Sequence, residues 1–391
     1  MRQIYLDHNA TTPVDKRVLE AMLPNYRDVF GNPSSAHAQG RAARVCLDLA
    51  REQVAALIGA HPAEITFTSG GTESDNLAIT GTVRALKDKG NHIITSRVEH
   101  PAVLNTCEEL QKEGFTIGYI PVDSYGRIDG AALAEMITDD TTLITLQHGN
   151  SEVGTLQPIE EIGELARARG VLFHTDAVQT VAKIAVNTQN LPVDLLSLSA
   201  HKMYSPKGVG ALYIRRGTPP LAPLISGGGQ EKKRRGGTEN VPGIVGLGKA
   251  AEIAQSRLES DRSHVSQLRS GLRQQIESCV PGVRFYGHPK FYLPNTLYLG
   301  FDGVESQPLM IHLDLAGIFV STGTACSSGS ILPSGVLEAM AVPENEMAQT
   351  IRISLGRGNC PEEMERVADA LEKAVFEIRS KTGFSAGVAP K

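Results

Sequence analysis

The sequence predicts an α/β protein with a mostly parallel sheet between helices and a smaller second domain. Three observations predict it. Short apolar runs alternate with amphipathic stretches from about residue 40 to residue 215. The chain, at 391 residues, is too long for one compact unit. The pattern also changes after a long helical stretch ending near Cys279. Strand–helix alternation buries a parallel sheet on both faces, and strands buried that way read as near-continuous apolar runs.

The strands expected in the first part are Glu64–Thr68, His92–Ser96, Thr141–Gln147, Val171–Thr175, Asp194–Leu198 and Gly210–Arg215. Arg41–Ile58 is a helix with Val45, Leu49, Val54 and Leu57 near 3.6 spacing and a stop at Gly59. Ile159–Arg169 is a second, stopping at Gly170. A long helical pattern runs from Val241 to Cys279, with a break expected inside it. Beyond it lie strands at Val283–Tyr286, Asn295–Leu299, Ile318–Ser321 and Thr350–Ser354, and helices near Gln307–Leu315 and Glu362–Arg379.

Composition narrows the function. Thirty-eight Lys and Arg against 43 Asp and Glu leave a net charge of −5, so no basic field points to nucleic acid. Five cysteines, an odd number in a long chain, argue against a disulfide scaffold and for a reducing cytoplasm. Cys46, Cys107 and Cys279 read as small buried hydrophobes, and Cys360 carries no role. The start, MRQIYLDHN, has no apolar segment of the secretory kind. No stretch reads as a membrane helix, and the basic run Lys232–Arg235 reads as a solvated loop.

Four constellations can carry chemistry. Thr68 to Ser74 (TSGGTES) follows a strand and opens a helix, where free N–H groups bind phosphate. Ser199-Ala200-His201-Lys202 follows another strand, at the edge where open α/β sheets build their sites. A lysine there, beside Lys207, can form a Schiff base. Asp176, in HTDAVQ, ends a third strand and can hold a heterocyclic nitrogen protonated, with Gln179 nearby. Cys326 sits among small residues bracketed by glycines, which predicts an exposed, mobile loop suited to a nucleophilic thiol. Taken singly, each has a plainer reading: a capped turn, a solvated lysine, an N-cap aspartate, a small buried hydrophobe. Together, a phosphate cradle, a Schiff-base lysine and a strand-end aspartate are the parts that hold pyridoxal 5'-phosphate.

With those blocks in view the chain resembles the NifS/IscS-like cysteine desulfurases, class-V members of the fold-type I pyridoxal-phosphate enzymes. The resemblance spans the chain: YLDHNATTP, GNPSSAH, FTSGGTESDNLAI, EHPAV, HTDAVQ, SAHKMYSPKGVGALY, GGTENV, STGTACSSGS and IRISLGR. It implies a seven-stranded, mostly parallel sheet in a large cofactor domain, residues 15–255. Residues 1–14 and 256–391 would form a small α+β domain carrying the cysteine loop at about 321–335.

By the same resemblance Lys202 bears the cofactor, Asp176 pairs with its ring nitrogen and Gln179 lies near its phenolic oxygen. His100 stacks on the ring and assists proton transfer. Gly71, Thr72, Ser199 and His201 hold the phosphate, with Thr238 reaching in from the other subunit of a homodimer with shared sites. Arg352 clamps the carboxylate of L-cysteine, with Asn32 nearby, and Cys326 takes the sulfur. The catalytic set is therefore Lys202, Cys326 and His100, with no metal. L-cysteine would give L-alanine and a Cys326 persulfide, passed to an iron–sulfur scaffold or another sulfur carrier. One departure stands in QHGNSEVG: relatives commonly carry Asn where this chain has Ser151, which leaves Asn150 to take over a cofactor contact. The nearest alternatives are a selenocysteine lyase or another β-lyase on the same scaffold, and a non-catalytic relative.

Overall fold

A computed structural model describes residues 3–322 and 334–382. Twelve strands run in chain order: β1 (Ile4–Tyr5), β2 (Ile65–Thr68), β3 (His92–Ser96), β4 (Thr116–Ile120), β5 (Thr141–Thr145), β6 (Leu172–Asp176), β7 (Leu195–Ser199), β8 (Gly210–Ile214), β9 (Val283–Tyr286), β10 (Thr296–Phe301), β11 (Ile318–Phe319) and β12 (Thr350–Ser354). A seven-stranded sheet has the order β2-β8-β7-β6-β5-β3-β4. β8 alone runs against its neighbours, so the sheet is mostly parallel, as expected.

Adjacent strand residues bury on opposite faces, the period-2 consequence of the pleat. Ile94, Ile144 and Leu196 face a core shared with the helices Ala38–Leu57, Ile159–Ala168 and the start of Val241–Cys279. Their neighbours Ile93, Leu143 and Leu195 face the helix Gly71–Ala85. A second core joins Ile4 and Leu6 to β10, β12 and the helices Ser306–Leu315 and Pro361–Thr382. Here the sheet order is β12-β10-β9, all antiparallel, beside a parallel β1–β11 pair.

The structure corrects several sequence expectations. Val241–Cys279 is one uninterrupted 39-residue helix. Its polar middle carries no proline, and the i,i+4 pair Arg257–Asp261 at 2.8 Å supports it across the gap between the cores. The helix Ala38–Leu57 buries Ala43, Leu47, Ala50 and Val54, whereas Val45 is 67% and Leu49 53% exposed. In the run Lys232–Arg235, Lys232 and Lys233 are exposed, as expected of a solvated loop, but the run is also anchored, with Arg235 on Glu73 at 2.8 Å and Lys232 on Ala63 O at 3.0 Å. Cys46 and Cys279 are partly exposed, while Cys107 is buried. Strand β4 escaped the sequence reading because it is a half-exposed edge with Gly118 at its centre.

The corrected helix face is testable. Leu47→Ala should cost about 2–5 kcal/mol in chemical denaturation, and Val45→Ala, two residues away, no more than about 0.5 kcal/mol. Equal losses would mean the helix buries the other face.

Candidate active site

Six parallel strands end on the same edge of the sheet, and the chain at and just beyond the ends of β2, β3, β5, β6 and β7 lines a cavity of about 740 Å³. This is the carboxyl edge, where open α/β sheets place ligands. β2 leads through Ser69 and Gly70 into the helix Gly71–Ala85. Gly70 offers no side-chain cap, so the first N–H groups of that helix remain open to an anion. A Cβ on Gly71 would come within 2.8 Å of Val178 Cγ2, so only glycine leaves the cradle unshifted. Ser199 and His201, from the end of β7 and the turn after it, line the same end of the cavity. Burial and the charges of Lys202, Lys207 and Lys183 lower the His201 pKa to about 4, so its imidazole is neutral at physiological pH.

Lys202 Nζ enters the cavity and donates to Asn9 O at 2.5 Å and Ala10 O at 2.8 Å. Asp176 closes β6; its Oδ1 accepts from Val178 N–H at 2.8 Å. Burial raises its pKa, and the charges of His100 and Lys202 oppose that rise. Behind it Asp75 is also buried and raised well above the usual range, by burial and then by Asp176. His174, held by Thr145 Oγ1 at 2.8 Å and Ser197 Oγ at 3.0 Å, is kept neutral by burial, its pKa lowered to about 3. No cation stands behind Asp176, so the charge it needs must come from the cavity side.

His100 caps the helix Pro101–Lys112. Its Nδ1 accepts from Ala102 N–H at 3.1 Å, which assigns the proton to Nε2. Glu99 beside it accepts from Ser96 Oγ at 2.6 Å and Gln147 N–H at 2.8 Å, and burial pushes its pKa up to about 8. At the opposite rim Arg352 is 4% exposed, donates to Ser151 O at 3.0 Å and Asp7 Oδ1 at 2.8 Å, and leaves its buried Nε without a hydrogen-bond partner. A buried guanidinium N–H with no acceptor is the chemistry of a vacant carboxylate contact.

The structure thus brings Gly71, Thr72, His100, Asp176, Gln179, Ser199, His201, Lys202 and Arg352 to one cavity. Asn150 is not among its lining. Its Nδ2 donates to Val98 O, and its Oδ1 accepts from Glu152 and Val153 N–H, so its side chain is spent on the turn. Ser151 lines the cavity instead. Asn32 and Thr238 are exposed and outside it within one chain. Cys326 lies outside the described residues. Sequence reasoning missed Asp7, Asn9 and Asp75. The first two stand in the quoted block YLDHNATTP, and an aspartate one turn into an apolar-faced helix was the available signal for the third.

The model of the class-V aminotransferases matches residues 4–367. The chain belongs to this family. It is 48% identical over 379 residues to "Cysteine desulfurase IscS" of Dictyoglomus turgidum, covering 97% of this chain and 96% of that one. The solved structure "NIFS-LIKE PROTEIN" superposes with a TM-score of 0.91 at 40% identity, over 96% of this chain and all of that chain. "SspA in complex with cysteine" does so with a TM-score of 0.80 at 39% identity, over 91% of this chain and all of that one. The NifS/IscS-like resemblance and the α/β fold class hold. For a class-V site the residues present fit pyridoxal phosphate: an uncapped helix start for its phosphate, a buried carboxyl for its ring nitrogen and a lysine amine for its aldehyde.

Glu152, next to the cavity-lining Ser151, provides a pH test of the burial beside the site. It accepts from Ser334 Oγ at 2.5 Å, and burial pushes its pKa up to about 7. A raised carboxyl holds its proton in the folded state after the unfolded chain has lost it. Its contribution therefore falls as pH rises from about 4.5 to about 7. The apoprotein should lose about 3 kcal/mol relative to Glu152→Gln across that window, measured by urea unfolding at several pH values. A pH-independent difference would refute the assignment.

Proposed function

We propose that this chain is a pyridoxal-phosphate-dependent cysteine desulfurase. It takes sulfur from L-cysteine, releases L-alanine and leaves a persulfide on Cys326. The observation that carries the reading is the convergence of Lys202, Asp176, an uncapped helix start and Arg352 in one cavity. The relatives named cysteine desulfurase support it.

Gly71, Thr72, Ser199 and His201 would hold the phosphate, Asp176 would pair with the ring nitrogen, and His100 would lie against the ring. When bound, the cofactor supplies an electron sink for the carbon bearing the substrate's amino group. Arg352 receives the substrate carboxylate through its unpaired Nε edge. Lys202, whose amine would carry the cofactor at rest, would take the substrate's Cα proton as a general base. His100 handles the thiol proton through Nε2. The Cys326 thiolate attacks the substrate sulfur; the carbon–sulfur pair stays with the organic fragment, which takes up a proton and leaves as alanine. The persulfide passes to a thiol-bearing acceptor, an iron–sulfur scaffold or another sulfur carrier, in the cytoplasm. Thr238 and Asn32, exposed in the single chain, serve a homodimer in which Thr238 completes the partner's phosphate site.

Alanine release from L-cysteine with reductant should fall roughly 100-fold or more in Cys326→Ala, while added L-cysteine still changes that variant's visible spectrum. Alanine from both proteins would favour the β-lyase reading, selenocysteine lyase included, and alanine from neither the non-catalytic one. Lys202→Ala should lose the borohydride-reducible cofactor adduct; a retained adduct would remove Lys202 from the mechanism.

A further inference from the structure

Lys183 has no part in the reading above. It lies four residues after Gln179, and its Nζ donates to Gln179 Oε1 at 2.7 Å and to Asn9 Oδ1 at 3.0 Å. Gln179 Nε2 in turn donates to Asn9 O at 3.0 Å, which closes a ring of three residues. The ring leaves the carboxamide one orientation. An amine N–H needs an acceptor, so Oε1 faces Lys183, and a carbonyl needs a donor, so Nε2 faces Asn9. Nε2 carries a second N–H that the ring does not use, and Gln179 lines the main cavity.

The ring also reaches Lys202 and the departing Ser151. Asn9 O is the acceptor of Lys202 Nζ at 2.5 Å. Asn9 Nδ2 donates to Ser151 O at 3.1 Å and Thr296 Oγ1 at 2.9 Å. The Lys183 stem is partly exposed, but its amine is packed deep and both its partners are neutral. Among the described residues no carboxylate pairs with it. The charged groups facing it are Lys202, from the turn after β7, and Arg352, from β12; with burial they lower its pKa well below the lysine range. His8, across a cavity of about 40 Å³, is held neutral as well, its pKa lowered to about 4.

We propose that Lys183 is a positioning residue: it orients the Gln179 carboxamide so that an N–H, and not a carbonyl oxygen, faces the cavity and selects the anionic oxygen of the bound cofactor. The inference rests on the pyridoxal-phosphate reading. Binding of pyridoxal phosphate to apoprotein is measured by equilibrium dialysis, together with the pH midpoint of the bound visible band. Lys183→Met should weaken binding about tenfold, the worth of one hydrogen bond to a charged group. It should also move the midpoint upward, because the ionised oxygen loses a donor. Gln179→Glu, which keeps the bond to Lys183 but puts an acceptor where the N–H stood, should lose the same tenfold even if Lys183→Met fails to fold. In a Gln179→Leu background Lys183→Met should change affinity less than about twofold, since the effect passes through Gln179. Full additivity there, or wild-type affinity and midpoint in Gln179→Glu, would overturn the proposal. A wild-type protein that binds no pyridoxal phosphate would overturn the cofactor reading instead.

Discussion

The site depends on one constraint: a carboxyl buried at the end of a fully enclosed strand must find a proton or a cation. Asp176 closes β6, flanked by β5 and β7. What lies behind it makes matters worse for a negative charge, because Asp75 is a second buried carboxyl and His174 is held neutral. The groups that favour ionised Asp176 are His100 and Lys202, and both line the cavity. On the proposed reading, a protonated ring nitrogen placed there would resolve the conflict, since an opposite charge close to a buried carboxyl favours its ionised form. A half-compensated anion of this kind suits a cationic heterocycle better than a neutral one.

The same edge explains why the N-terminal segment belongs to the site. Ile4 and Leu6 sit in the second core, yet Asn9 donates to Ser354 Oγ from its backbone N–H at 2.9 Å and accepts on its carbonyl from Lys202. Asp7 pairs with Arg352, and Arg352 with the Ser151 carbonyl. Lys202 and Arg352, the lysine and arginine of the proposed mechanism, are thus held by one short strap running between the two cores. Removing a buried partner from such a network costs more than the bond itself, because the group left behind stays desolvated.

Much of this was legible in the sequence, for physical reasons. Buried strands are dense apolar runs whether parallel or antiparallel, so β3 and β12 were read to the residue, as was the half-buried β9, and motifs that follow the parallel strands fall on one edge by topology alone. Other features were not legible. The helix Ala38–Leu57 offers two apolar stripes, and the sequence cannot say that the alanine-rich one with Leu47 packs closer than the one with Val45. A polar stretch such as Gln255–Ser263 looks like a linker, yet ion pairs along it keep one helix whole. Asn9 was invisible because its partners lie far away in sequence, 286 residues for the Asn9–Asn295 bond, and Lys183 because only Asn9, 174 residues away, turns its contact with nearby Gln179 into a ring.

Ser151 is where these threads meet. Relatives of the resembled family commonly present a carboxamide at this position, and here neither residue of the pair supplies one to the cavity. The Asn150 carboxamide is consumed by three backbone groups of its own turn and of Val98. The Ser151 carbonyl is consumed by Asn9 and Arg352, and its hydroxyl is shorter than the amide it replaces. On the proposed reading, donation to the cofactor's anionic oxygen would then fall to Gln179. A single donor must point the right way, because a flipped carboxamide would set an oxygen against an oxygen. With Ser151 in the cavity wall, the ring of Lys183, Gln179 and Asn9 would then carry the burden of orientation, through a lysine outside the cavity lining.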